Sequence, residues 1–67
     1  ELDQLVDEYQ IEMNNKIIVD VKEYSVVNRE NNRYVAEFEY MDAQYQLTGL
    51  MQKEEFDKII ENLIFLQ

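Results

Sequence analysis

Between Tyr34 and Leu50 apolar and polar positions alternate so strictly that a hairpin can be read residue by residue. Tyr34, Ala36, Phe38 and Tyr40 share one parity, and Val35, Glu37 and Glu39 the other. A tight turn over Met41-Asp42-Ala43-Gln44 leads into a second strand, Tyr45-Gln46-Leu47-Thr48-Gly49-Leu50. With that turn centred on Asp42-Ala43, Tyr40 pairs with Tyr45, Phe38 with Leu47 and Ala36 with Gly49, all on the apolar face. Glu39–Gln46 and Glu37–Thr48 then share the polar face. A slip of one residue would turn every side chain to the wrong side, so the register is well specified. Gly49, the only glycine, falls opposite Ala36 and leaves a shallow spot where a helix can come close.

The pattern changes period on either side of this hairpin. Phe56, Ile59, Ile60, Leu63 and Leu66 form one helical stripe, with Ile64 on its flank and Glu54, Asp57, Lys58, Glu61 and Asn62 covering the rest. Phe65 falls opposite the stripe and reads as part of a fraying chain end. At the other terminus Leu2, Leu5, Val6 and Tyr9 stand at the spacing of one helix face, and Asp3 and Asp7 suit its N-terminal dipole. Met13 continues that stripe and Ile11 does not, so an equally fair reading ends the helix near Tyr9 and makes Gln10–Met13 extended. Asn14-Asn15 closes the segment, since asparagine tolerates left-handed turn geometry.

Ile17–Val27 is rich in β-branched residues and reads as a strand. Val19 and Val21 have one parity and Tyr24 and Val26 the other. One buried face then requires an inserted residue, a β-bulge near Lys22-Glu23. With the bulge, Val26 pairs with Tyr34, Tyr24 with Ala36, and Val21 with Phe38. The polar run Asn28–Asn32 is the turn that follows. The connections are too short for a parallel crossover, so the strands are antiparallel. The expected fold is α+β, a three-stranded antiparallel meander with N- and C-terminal helices packed on one face, in the order α-β-β-β-α.

Composition narrows the functional classes. At 67 residues the chain is a single domain, and at 46% hydrophobic it is too apolar to be disordered. A domain of this size buries only about 60% of its unfolded surface. It has no cysteine for disulfides and no cysteine or histidine for a structural zinc. Support from a dimer partner or a larger parent protein is therefore expected. The net charge of −9 argues against nucleic acid and anionic lipid as partners, because its six basic residues are scattered rather than clustered. The acids are spread too, which suits solubility first and a basic partner second. The longest apolar run, Leu63–Leu66, is far too short to span a membrane, so no direct membrane insertion is expected within these residues. The chain opens on Glu1 rather than Met and reads as a fragment of a longer protein.

Catalytic inventory is thin. Without histidine or cysteine the commonest acid–base and thiolate mechanisms are out. Ser25 and Thr48 are the only hydroxyl nucleophiles of their kinds and have no histidine base. Glu37 and Glu39 share a strand face, but nothing beside them suggests the apolar pocket that would raise one pKa. Asp42 and the Asn28–Asn32 loop offer oxygens without EF-hand spacing, and one glycine cannot build a phosphate loop. The expectation is a protein that is not an enzyme, with no cofactor and no metal site. Tyr34, Tyr40 and Tyr45 on the apolar sheet face and Tyr9 on the helix stripe read as core or core edge rather than as a binding surface, and Tyr24 joins them if the bulge is real.

The run Tyr34–Tyr40, the turn, Tyr45–Leu50 and the helix Glu54–Leu63 together resemble a bacterial domain of unknown function. Members of that family commonly follow a single membrane span in Gram-positive proteins linked to sigma-factor or anti-sigma-factor operons. They show a tyrosine-led strand ending in glycine and a helix opening with paired glutamates, as Tyr45, Gly49, Glu54 and Glu55 do here. Members often carry serine at the helix N-cap, where this chain has Met51-Gln52, which predicts a weaker cap. The resemblance carries no catalytic residues. It implies a non-enzymatic extracytoplasmic module (cell surface or secreted) that acts by contact, in a membrane-anchored or secreted parent. The alternative is a soluble intracellular acidic protein that binds a basic partner or mimics nucleic acid. In a three-stranded sheet Ile17–Val27 and Tyr45–Leu50 would both be edges. The first is guarded by Asp20, Lys22 and the bulge, and the second carries neither charge nor proline. Self-association or a protein partner is therefore expected along Tyr45–Leu50, through Tyr45, Gln46 and Thr48, or on the uncovered face around Val35 and Leu50.

Overall fold

The computed structural model describes residues 3–63. Four strands run in sequence as an antiparallel meander: β1 (Gln4–Glu12), β2 (Ile18–Ser25), β3 (Asn32–Tyr40) and β4 (Ala43–Met51). A single helix, α1 (Lys53–Glu61), follows β4 and packs on one face of the sheet. The order is thus β-β-β-β-α, and the expected N-terminal helix and three-stranded sheet are both corrected.

The N-terminal correction has a local cause. Leu5 pairs with Tyr24 and Asp7 with Glu23, which leaves Val6 without a counterpart in β2. This bulge puts Leu5 on one face of the sheet and Tyr9 and Ile11 on the other. The spacing of Leu5, Val6 and Tyr9 therefore mimics a helical stripe although the residues serve different faces. Beyond the bulge a two-residue period takes over, with Tyr9 half-buried and Ile11 and Met13 buried. A helix this short would be marginal alone, whereas a strand gains a full ladder of hydrogen bonds with β2. Leu2 lies outside the described residues.

β2 needs no bulge. Its register with β3 runs unbroken from Asp20↔Glu37 to Tyr24↔Arg33. The expected pairs Val26–Tyr34, Tyr24–Ala36 and Val21–Phe38 are replaced by Glu23–Tyr34, Val21–Ala36 and Tyr24–Arg33. Val19 and Val21 are buried and Tyr24 lies on the opposite face, because that face carries apolar residues of its own.

The second hairpin keeps its predicted faces but shifts by two residues. Met41 and Asp42 have φ of 52° and 65°, and Tyr40 pairs with Ala43 across a two-residue turn. Both central residues left-handed is the I′ geometry that matches strand twist. Phe38 then faces Tyr45, Ala36 faces Leu47 and Tyr34 faces Gly49. The first hairpin uses a longer loop. The Lys16 N–H donates to the Met13 carbonyl at 2.8 Å, and Lys16 itself is left-handed at φ 70°.

Ile11, Met13, Val19, Val21, Tyr34, Ala36 and Phe38 line the covered face of the sheet, and Phe56 and Ile60 meet them from α1. Phe56 stacks on Tyr34 with ring centroids 5.3 Å apart. It also passes close to Gly49, where an added Cβ would lie 4.0 Å from the Phe56 ring and 2.7 Å from the Met51 methyl. The predicted close approach of the helix at Gly49 is therefore present, with Tyr34 rather than Ala36 across from it. The helix stripe is rotated from expectation. Asp57 is half-buried against β1, while Ile59, on the other flank, is 47% exposed. The expectations for Ile64, Phe65 and Leu66 lie outside the described residues. At the helix start the Gln52 N–H donates to the Glu55 carboxylate at 3.2 Å, the half of a capping box that a glutamate at the third helical position supplies.

Candidate functional site

Among the described residues nothing covers the outer face of the sheet, turned away from α1, or its two edges, β1 and β4. Ile17–Val27, expected as an edge, is covered by β1. The edge of β1 is broken by the Val6 bulge and carries Asp7, Glu8 and Glu12, whereas the nine residues of β4 include no charge.

Each strand register continues into the next, so the outer face is organised in rows that cross all four strands. One row reads Leu5–Tyr24–Arg33–Leu50, the next Glu8–Lys22–Val35–Thr48, and the third Gln10–Asp20–Glu37–Gln46. The first is largely apolar, with Leu5 and Leu50 exposed, and Arg33 reaches across to Asp3 at 2.6 Å. The third sets two carboxylates directly opposite each other. The Gln10 amide donates to Asp20 at 2.8 Å and the Gln46 amide to Glu37 at 3.3 Å. Each acid is thus capped from its outer side. Glu39 lies on the same face, beside Gln44.

The residues expected to make an interaction surface are divided by this geometry. Val35, Gln46, Thr48 and Leu50 share the outer face, with Val35 and Thr48 directly paired. Tyr45 is on the covered face, stacked on Phe38 at 5.3 Å. It stays 39% exposed, and Leu47 beside it 36% exposed, because α1 leaves the β4 margin uncovered. The row Leu5–Tyr24–Arg33–Leu50 escaped the sequence reading. Its signal was the parity of Tyr24, which fits an outer-face residue without any inserted bulge.

Beneath the start of α1 lies a polar network on the covered face. The Tyr9 hydroxyl donates to Asp57 at 2.7 Å, and the Lys53 ammonium donates to the other oxygen of Asp57 at 2.9 Å. Lys53 also sits 4.2 Å from the centre of the Tyr9 ring, a cation–π contact. One strand over, Glu23 accepts from the Tyr34 hydroxyl at 3.0 Å and from the Asn32 amide at 2.7 Å. Burial, then the bond to Asp57, pushes the Tyr9 phenol well above its ordinary range. Burial and the bond to Glu23 push Tyr34 up to about 12. The bond to Asp57 raises Lys53. Phenols held protonated as donors to carboxylates are poor bases, and the arrangement ties helix to sheet. Glu37 and Glu39 lie on the exposed outer face. Among the described residues no group of three or more carboxylates gathers closely enough to hold a metal ion, and no helix is long and apolar enough to cross a membrane.

A family model described as a domain of unknown function (DUF4367) matches residues 3–63. The match runs well beyond the C-terminal half that carries the resemblance, and takes in β1 and β2 as well. No curated protein and no solved structure matches the chain.

Proposed function

We propose that this chain, which belongs to the DUF4367 family of domains of unknown function, is a non-enzymatic extracytoplasmic interaction or sensing module. It works by contact along the edge of β4 and the adjoining outer face. The observation that carries the reading is β4 itself. It is an edge strand of nine residues without a charge, in a chain of net charge −9, and it carries Thr48 and Leu50 on the outer face beside Val35 of β3. Free backbone N–H and C=O groups on such an edge are a template for another strand, and the side chains beside them select it. Extracytoplasmic location is supported by the resemblance of Tyr34–Leu63 to domains that follow a single membrane span.

Two measurements test this reading in the producing cell. A photoreactive side chain at Gln46 should give cross-linked adducts, and one at Asn28, on the loop before β3, should not. Equal labelling at both positions, or none at Gln46, would sink the contact site. A reporter that is active only outside the membrane, fused after the last residue of the parent protein, should be active. Activity solely of a cytoplasmic reporter would remove the extracytoplasmic part.

A further inference from the structure

We infer that the edge of β4 pairs antiparallel with the β4 of a second copy, on a two-fold axis through Leu47. This rests on the contact reading of β4 and goes beyond it by naming the partner and the register.

A two-residue turn makes Tyr40 and Ala43 a hydrogen-bonded pair, and in an antiparallel ladder such pairs alternate with non-bonded ones. Ala43, Tyr45, Leu47, Gly49 and Met51 therefore aim their backbone groups at β3. Gln44, Gln46, Thr48 and Leu50 aim theirs outward from the sheet. With the axis at Leu47, Gln44 meets Leu50 of the twin and Gln46 meets Thr48. All four outward residues then find bonded partners. Moving the axis by one residue leaves some of them unmatched.

The side chains agree with that register. On the covered face Leu47 meets its own copy and Tyr45 lies across from Gly49. This repeats between molecules the pairing of Tyr34 with Gly49 within one. Those are the residues that α1 leaves partly exposed, Tyr45 at 39% and Leu47 at 36%. Ile59, on the flank of α1 away from Asp57, stands on the same side. On the outer face only Gln–Thr and Gln–Leu pairs form, so no like charges meet. In two molecules of charge −9, β4 is the one among the described strands where this holds. The joined sheet adds the apolar burial that a small core lacks.

The chain has no cysteine, so single cysteines report the register cleanly. At a non-bonded antiparallel pair the Cα atoms lie about 4.5 Å apart, within disulfide range. Leu47→Cys should therefore oxidise to a covalent dimer. Gln44→Cys is the control, since the two Gln44 positions would be about 20 Å apart at the rise of an extended strand. Cross-linking of the Leu47→Cys variant should be at least roughly tenfold faster than that of Gln44→Cys. The unmodified chain should show a concentration-dependent monomer–dimer equilibrium in sedimentation. Gln46→Lys with Thr48→Lys, both exposed, sets a cation opposite Glu37 within the molecule but like charges opposite each other between copies, so it should return the chain to monomer with its circular dichroism unchanged. A chain monomeric to millimolar concentration, with Leu47→Cys oxidising no faster than Gln44→Cys, would overturn the dimer. A dimer that survives the two lysine substitutions would overturn the site. Adducts at Gln46 in cells with a foreign protein, alongside a strictly monomeric purified chain, would overturn this inference and leave the contact reading standing. Loss of both would end both.

Discussion

Asp20 and Glu37 face each other directly across β2 and β3, each with a glutamine amide on its outer side. Like charges at directly opposed positions destabilise a sheet by roughly 0.2–1 kcal/mol, and the amides only partly offset this. Asp20→Asn keeps an oxygen for the Gln10 amide and removes the repulsion. It should raise unfolding free energy by about that amount in urea titrations at low salt, with the gain shrinking as salt is added. A loss of stability would mean that the carboxylate accepts more than the bond to Gln10. Tyr34 gives a pH dependence of definite sign. Its phenol ionises at about 12 in the folded chain and at an ordinary 10.0 when unfolded. Below pH 10 the stabilisation is fully present. Between 10 and 12 the unfolded state loses its proton first, so stability falls as pH rises. Phenolate absorbance with a parallel denaturation series should show this fall, and Tyr34→Phe should make it shallower. Tyr9, raised further, adds to the fall within that window and continues it above.

At the scale of elements, α1 and the faces of β3 and β4 were legible because their periods of 3.6 and 2 stand clear of any alternative. The register of that hairpin was not. A shift of two residues keeps every side chain on its face, so polarity alone cannot separate Tyr40↔Tyr45 from the observed Tyr40↔Ala43. β1 was lost to the Val6 bulge, and the bulge assigned to Lys22-Glu23 came from assuming that only one face carries apolar residues. Leu5, Tyr24 and Leu50 on the outer face break that assumption. Four of the five surface residues proposed from sequence lie together for the same reason that the faces held, and Tyr45 parts from them by parity. The turn that resolves the register is chemically unfavourable. Met41 and Asp42 both adopt left-handed φ, where asparagine and glycine are preferred. Met41→Asn with Asp42→Gly should stabilise the domain by about 1 kcal/mol or more, read as a higher denaturation midpoint with unchanged m-value. If the pair destabilises, the exposed Met41 side chain makes a contribution that its geometry does not reveal.

The whole molecule carries fifteen acidic and six basic residues, and among its described residues only Arg33–Asp3 and Lys53–Asp57 form ion pairs. Both pairs are solvated at their cationic ends, so salt removes little by screening them. The larger effect of salt is on the surplus negative charge, which folding compresses. Glu8, Asp20, Glu37 and Glu39 lie on one outer face, and Asp7 opposes Glu23 on the other. At about 0.1 M salt the Debye length is roughly 10 Å, so repulsion between charges two rows apart, about 14 Å at the rise of an extended strand, is largely screened, and that between directly opposed acids only in part. Thermal stability should therefore rise from low to physiological salt. In a domain this small, each kcal/mol of relieved repulsion moves Tm by roughly 4–8 °C. Salt would also favour pairing of two like-charged copies, and a dimer raises Tm by mass action. The measurement belongs on the Gln46→Lys/Thr48→Lys variant as well as the unmodified chain. A rise in both, concentration-dependent in the unmodified chain alone, separates screening within one molecule from association between two. A falling Tm would mean that attraction, not repulsion, dominates the charge distribution of the fold.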